Sequence, residues 1–163
     1  MNRRKTFTPE QAIQKIRHYC AYQERSHSEV REKLFGFGLN TREVDSIIAD
    51  LISQDYLNEE RFAIQFAGGK FRQKKWGKKR IVYELKARKV SDLNIKLAIS
   101  AIDPQDYRQT LHELIRKRNE QLVRDGYQGY ELSARTLSFL TQKGYETDLA
   151  QDAYREQLEA TTP

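Results

Sequence analysis

The sequence predicts an all-α protein, built as an elongated, curved array of three tandem three-helix repeats. Three observations carry that expectation. Apolar residues recur at helical spacing, and no long β-branched alternating run competes with them. The prolines spare the helix interiors: Pro9 and Pro104 follow the N-cap residues Thr8 and Asp103, where proline fits the first helical position, and Pro163 is the last residue. The sequence also repeats itself. A shift of 51 brings Val30 onto Ile81, Leu34 onto Leu85, Leu39 onto Val90, Val44 onto Ile95, Ile48 onto Ile99 and Leu51 onto Ile102. A further shift of 55 brings Leu85 onto Leu140, Val90 onto Tyr145 and Ile99 onto Tyr154, in a weaker third copy where Thr136 and Ala150 replace larger apolar residues.

The first repeat, residues 1–55, opens on Thr8-x-x-Gln11, a capping box ahead of the stripe Ile13, Ile16 and Tyr19/Cys20. Ser26-x-x-Glu29 opens a short second helix that stops at Gly36 and Gly38, residues suited to a left-handed helix end. Asn40-x-x-Glu43 opens the third, with Val44, Ile47, Ile48 and Leu51 on one face. The second repeat, 56–102, starts after Asn58, runs through Phe62, Ile64 and Phe66, resumes at Lys78 and again after the N-cap Ser91. The third, 103–163, opens at Asp103, continues through Leu111, Leu114, Ile115 and Leu122, and breaks at Gly126 and Gly129. Its last helices are expected to start near Ser133 and Thr147. Helices of this length are marginal alone, so neighbouring units must cover one another's apolar seams. A long concave array suits an extended partner better than a small substrate.

Charge is distributed unevenly. The chain of 163 residues carries a formal +6, yet residues 70–89 alone carry +9: Lys70, Arg72, Lys74, Lys75, Lys78, Lys79, Arg80, Lys86, Arg88 and Lys89 against Glu84. The remaining 143 residues are therefore slightly acidic, at −3. Such a concentration attracts polyanions, so these ten residues form a candidate polyanion-facing surface. Lys70, Lys74 and Lys78 lie four apart, as do Lys75 and Lys79. If helical, the segment shows a broad cationic face with Phe71 and Trp76 as an aromatic ridge; the alternative is that both rings are core residues and the lysines solvate the outside. Trp76-Gly77 marks a break, after which Lys78, Lys79 and Arg80 crowd a helix start. The helix dipole disfavours cations there unless a phosphate or carboxylate completes the site.

No catalytic cluster is visible. His18, His27, His112 and Cys20 lack metal-ligand spacing, and Gly68-Gly69 lacks the lysine–serine or lysine–threonine ending of a phosphate loop. Glu59 and Glu60 read as helix-dipole partners behind Asn58 rather than as an acid–base pair. Tyr56, Tyr127, Tyr130 and Tyr145 read as half-buried corners between helices. The lone Cys20 packs as a small hydrophobe and forms no internal disulfide. No apolar run spans a membrane, and Arg3, Arg4 and Lys5 are not followed by the apolar core of a secretory signal. The expectation is a cytoplasmic, monomeric, non-enzymatic protein without metal or cofactor.

Asp55-Tyr56-Leu57-Asn58-Glu59-Glu60-Arg61-Phe62-Ala63, followed by Gly77-Lys78-Lys79-Arg80-Ile81 and Glu84-Leu85, resembles the signature of the RecX regulatory proteins. Arg25-Ser26, Glu29-Val30 and Lys33-Leu34 are similar to that family's first repeat, and Lys143-Gly144-Tyr145 to a basic–glycine–aromatic element of its third. Glu59 stands where members usually carry aspartate, which keeps the charge. The resemblance covers roughly residues 10–158. It implies tandem three-helix repeats and a modulator that lies along the RecA–DNA filament, inhibiting strand exchange, ATP hydrolysis and co-protease activity. Partners on this reading are the RecA filament and single- or double-stranded DNA. The rival expectation is a stand-alone DNA-binding protein of helix-turn-helix-like units, with Lys78, Arg80 and Arg88 entering a groove. Against it, the second helix of the first repeat carries Glu29 and Glu32.

Overall fold

The computed structural model describes residues 6–162, and these form nine helices and no strand. Arg3, Arg4, Lys5 and Pro163 lie outside the described residues. The helices are α1 (Pro9–Tyr22), α2 (His27–Gly36), α3 (Thr41–Ser53), α4 (Glu59–Lys74), α5 (Lys78–Ala87), α6 (Asp92–Ser100), α7 (Pro104–Arg124), α8 (Gly129–Lys143) and α9 (Thr147–Thr161). The all-α expectation holds. None of the described helices is long and apolar enough to cross a membrane.

Local sequence explains the boundaries. The three expected capping boxes form: the Gln11, Glu29 and Glu43 amides donate to Thr8, Ser26 and Asn40, and each N3 side chain accepts from the N-cap amide. Asn58 and Ser91 likewise accept from the Arg61 and Asn94 amides, and Asp103 accepts from Gln105 and Asp106. One boundary differs from expectation. α8 begins at Gly129, four residues before Ser133, because Gly129 takes a positive φ of 61° and opens the helix instead of breaking it.

The chain divides into two compact units. The first comprises residues 6–66 with 85–98, the second 67–84 with 99–162. In the first, Ala12, Ile16, Cys20, Val30, Leu34, Leu39, Val44, Ile47, Ile48, Leu51 and Leu57 form a continuous core. Cys20 belongs to it, and burial pushes its thiol up to about 11. In the second, Phe71, Ile81, Ile102, Tyr107, Leu111, Ile115, Leu140, Tyr145, Ala150 and Tyr154 are among the buried side chains.

Every residue of the sequence's internal alignment is buried except Ile99, which is half-buried. Thr136, the polar substitution in the third copy, is fully buried and satisfied. Its hydroxyl donates to the Leu132 carbonyl at 3.0 Å, one turn back, and lies 3.4 Å from Asn119 Oδ1.

Candidate functional site

The residues of the Asp55–Ala63 signature are architectural. Asp55 adopts a left-handed conformation (φ 62°), letting the Tyr56 and Leu57 amides both donate to the Leu51 carbonyl. Arg61 reaches back to this turn: its guanidinium donates to the Asp55 carboxylate at 3.2 Å, to the Asp55 carbonyl at 3.1 Å, and to Glu24. The Glu24 hydrogen bond holds Arg61 firmly protonated. Leu57, Phe62 and Ala63 are buried, and Glu59 accepts from the Asn94 amide group at 2.7 Å. Glu59 thus ties α4 to α6, beyond the helix-dipole role expected of it.

Seven of the ten candidate cations lie in the second unit. α4 runs through Gly68-Gly69 and ends at Lys74; Lys75 turns the chain with φ 57°, and α5 starts at Lys78. Lys70 and Lys74 therefore share a helix, but Lys78 begins another, and the single broad cationic face is not formed. Nor is the aromatic ridge. Phe71 is buried, its ring 5.8 Å from that of Tyr107, which stacks on Tyr145 at 5.2 Å. Trp76 is half-buried, with Lys70 Nζ 5.2 Å and Arg80 Cζ 4.3 Å from its ring centre.

The α4–α5 joint is held by the corner between α8 and α9. Gly77 donates to the Lys143 carbonyl at 2.8 Å, Lys79 to the Gly144 carbonyl at 2.9 Å, and Lys78 to the Tyr107 hydroxyl at 3.1 Å. In return Lys143 Nζ donates to the Lys74 carbonyl and the Tyr145 hydroxyl to the Lys75 carbonyl, each at 3.0 Å. The Gly77, Lys78 and Lys79 amides are therefore not open to an anion: the carbonyl end of α8 takes those of Gly77 and Lys79, and the Tyr107 hydroxyl takes that of Lys78. The α8 carbonyls supply a negative pole beside the cations. A Cβ on Gly77 would strike the Gly144–Tyr145 backbone, and one on Gly144 (φ 99°) would strike Arg80. This contact gives the Lys143-Gly144-Tyr145 element its physical reason.

Tyr107 also donates to the Glu146 carboxylate, 3.1 Å from both oxygens, which leaves α9 without a side-chain cap at its N-cap residue Glu146. Burial raises the Tyr107 and Tyr145 phenols well above their usual range. No local sequence pattern marks Tyr107 and Glu146. Their only signal was an aromatic and an acid 39 residues apart, which pair solely in three dimensions. Of the four corner tyrosines, Tyr127 is half-buried as expected and Tyr145 wholly buried, whereas Tyr56 and Tyr130 are exposed.

Side chains, not backbone, are what the joint offers. Arg72, Lys74, Lys75, Lys79 and Arg80 are exposed; Lys70 and Lys78 are half-buried, with Lys78 Nζ 4.5 Å from the Tyr107 ring centre. In the first unit, Lys86 and Lys89 are exposed, while Arg88 is half-buried with its guanidinium 4.6 Å from the Phe66 ring centre. Among the described residues, the ion pairs (Arg31–Asp45, Arg61–Glu24, Arg61–Asp55, Arg108–Glu156, Arg116–Glu120 and Arg135–Glu131 among them) engage none of Lys74, Lys75, Lys79, Lys86 and Lys89. No cluster of three or more metal-ligating side chains occurs among the described residues.

Fold and site together define a class: wholly helical proteins of short, capped helices with cations gathered at a helix joint. Residues 58–99 match the family model described as "RecX, second three-helix domain". The chain is 24% identical to the regulatory protein RecX of Finegoldia magna, covering 81% of this chain and 64% of that one, and 28% identical to that of Clostridium perfringens, covering 80% and 61%. The Chromobacterium violaceum RecX is 29% identical over 77% of each chain. The chain thus spans less than two thirds of the first two relatives. The crystal structure of RecX from Lactobacillus salivarius superposes with a TM-score of 0.81 at 19% identity, covering 91% of this chain and 95% of that one, which shows a shared fold. The chain is thus similar to the RecX regulatory proteins over about four fifths of its length, and residues 58–99 match the second three-helix domain of that family.

Proposed function

We propose that the chain is a non-enzymatic regulator that binds the RecA–DNA filament and inhibits its strand-exchange, ATPase and co-protease activities. One observation carries the reading: the segment matching the RecX second domain, residues 58–99, contains all ten cations of the candidate surface. The regulatory role carried in the relatives' name supports this reading, and the filament is the partner that the family resemblance implies. On this reading the protein is a cytoplasmic monomer of three tandem repeats, 1–55, 56–102 and 103–163. Exposed side chains around the α4–α5 joint face DNA phosphates or an acidic groove of RecA.

The test is a titration onto preassembled RecA filaments with DNA in excess. The expected outcome is inhibition of DNA-dependent ATP hydrolysis at a substoichiometric ratio to RecA, with no ATP hydrolysis by the protein itself. Inhibition that merely tracks occupancy of the DNA lattice would favour the stand-alone DNA-binding protein.

A further inference from the structure

The solvent side of α5 holds Lys79, Arg80 and Tyr83, all in the second unit. Tyr83 is 71% exposed and, among the described residues, has no ring, cation or hydrogen-bond partner. Lys79 lies one turn before it at i−4 and Arg80 at i−3, so both cations stand one turn N-terminal to the ring on the same helix face. Arg80 is steadied by its contact with Trp76, 4.3 Å from guanidinium carbon to ring centre. Other tyrosines are as exposed but lack this setting: Tyr22 ends α1 ahead of Gln23 and Glu24, and Tyr130 precedes Glu131.

We infer that Tyr83 is a stacking platform for an unpaired base of single-stranded nucleic acid, with Lys79 and Arg80 taking the flanking phosphates. Duplex bases keep their faces covered by neighbours, whereas a single strand presents them, and an aromatic ring beside cations serves both parts of a nucleotide. The side chain is a good platform because its exposed ring has no ring, cation or hydrogen-bond partner among the described residues to give up. This inference rests on the proposed polyanion-facing role of the joint and adds to it a ligand class and a residue.

The experiment compares binding of the whole chain to oligo(dT) and to an abasic oligonucleotide of equal length, at matched salt. These probes share phosphates and differ in bases. Wild type is expected to favour oligo(dT), by about 5- to 150-fold if one base is stacked. Tyr83→Ala should abolish that preference while leaving abasic binding and the salt slope unchanged, and Tyr83→Phe should retain it, since stacking does not need the hydroxyl. A preference that survives in Tyr83→Ala, or an equal loss on both probes, overturns the stacking role alone. Failure of wild type to bind either probe in a salt-dependent way overturns the basic-surface reading and the inference together.

Discussion

At the residue scale, the second unit turns on two tyrosines. Tyr145 is fully buried, and its hydroxyl holds the Lys75 carbonyl at the one residue of the joint with a positive φ. Tyr107 sits between the Lys78 amide and Glu146. Both phenols have raised pKa values, chiefly because burial penalises the phenolate, so the native state binds their protons more tightly than the unfolded chain does. Their contribution to stability is complete below the unfolded value near 10 and is lost as pH rises beyond it. Urea melts are therefore expected to show a falling midpoint from about pH 9 to about pH 11. Tyr145→Phe should make that fall shallower, while costing about 0.5–1.5 kcal/mol at neutral pH for the lost hydrogen bond.

At the element scale, short helices depend on their buried faces. Leu34 of α2 and Leu85 of α5 are both completely buried and occupy matching positions of the internal alignment. Alanine at either should cost about 2–5 kcal/mol through lost burial and a residual cavity. Denaturant unfolding of the two variants checks this, and near-wild-type midpoints would show that these are not core positions. Helix starts were legible in the sequence because capping is local: Thr8, Ser26, Asn40 and Asp103 each act within three residues of themselves. The start of α8 was not, because Gly129 can either break or open a helix, and its own residue type does not decide which.

At the scale of the whole molecule, a +9 segment in a chain of net +6 predicts salt-sensitive binding to polyanions. Lys74, Lys75 and Lys79 are exposed, whereas Lys78 is half-buried against Tyr107, so only the first three can be neutralised without disturbing packing. Replacing those three with glutamine should leave thermal unfolding unchanged and flatten the log–log salt dependence of DNA binding by up to about 3. An unchanged slope would remove these lysines from the interface. The ten cations themselves were legible from the sequence. Their division, seven in one compact unit and three in the other, was not.

By itself the sequence determined the helical class, the capped helix starts, the buried repeat positions and the concentration of charge. Each follows from residue type and from spacings within a turn or two of helix, or from the repetition of those spacings. Only the tertiary structure decided what the basic joint presents. The amides at the start of α5 are taken by Lys143, Gly144 and Tyr107, residues 29 to 66 positions further along the chain. Whether a helix end is open to an anion depends on what packs against it, and that partner lies too far away in sequence for any local pattern to name.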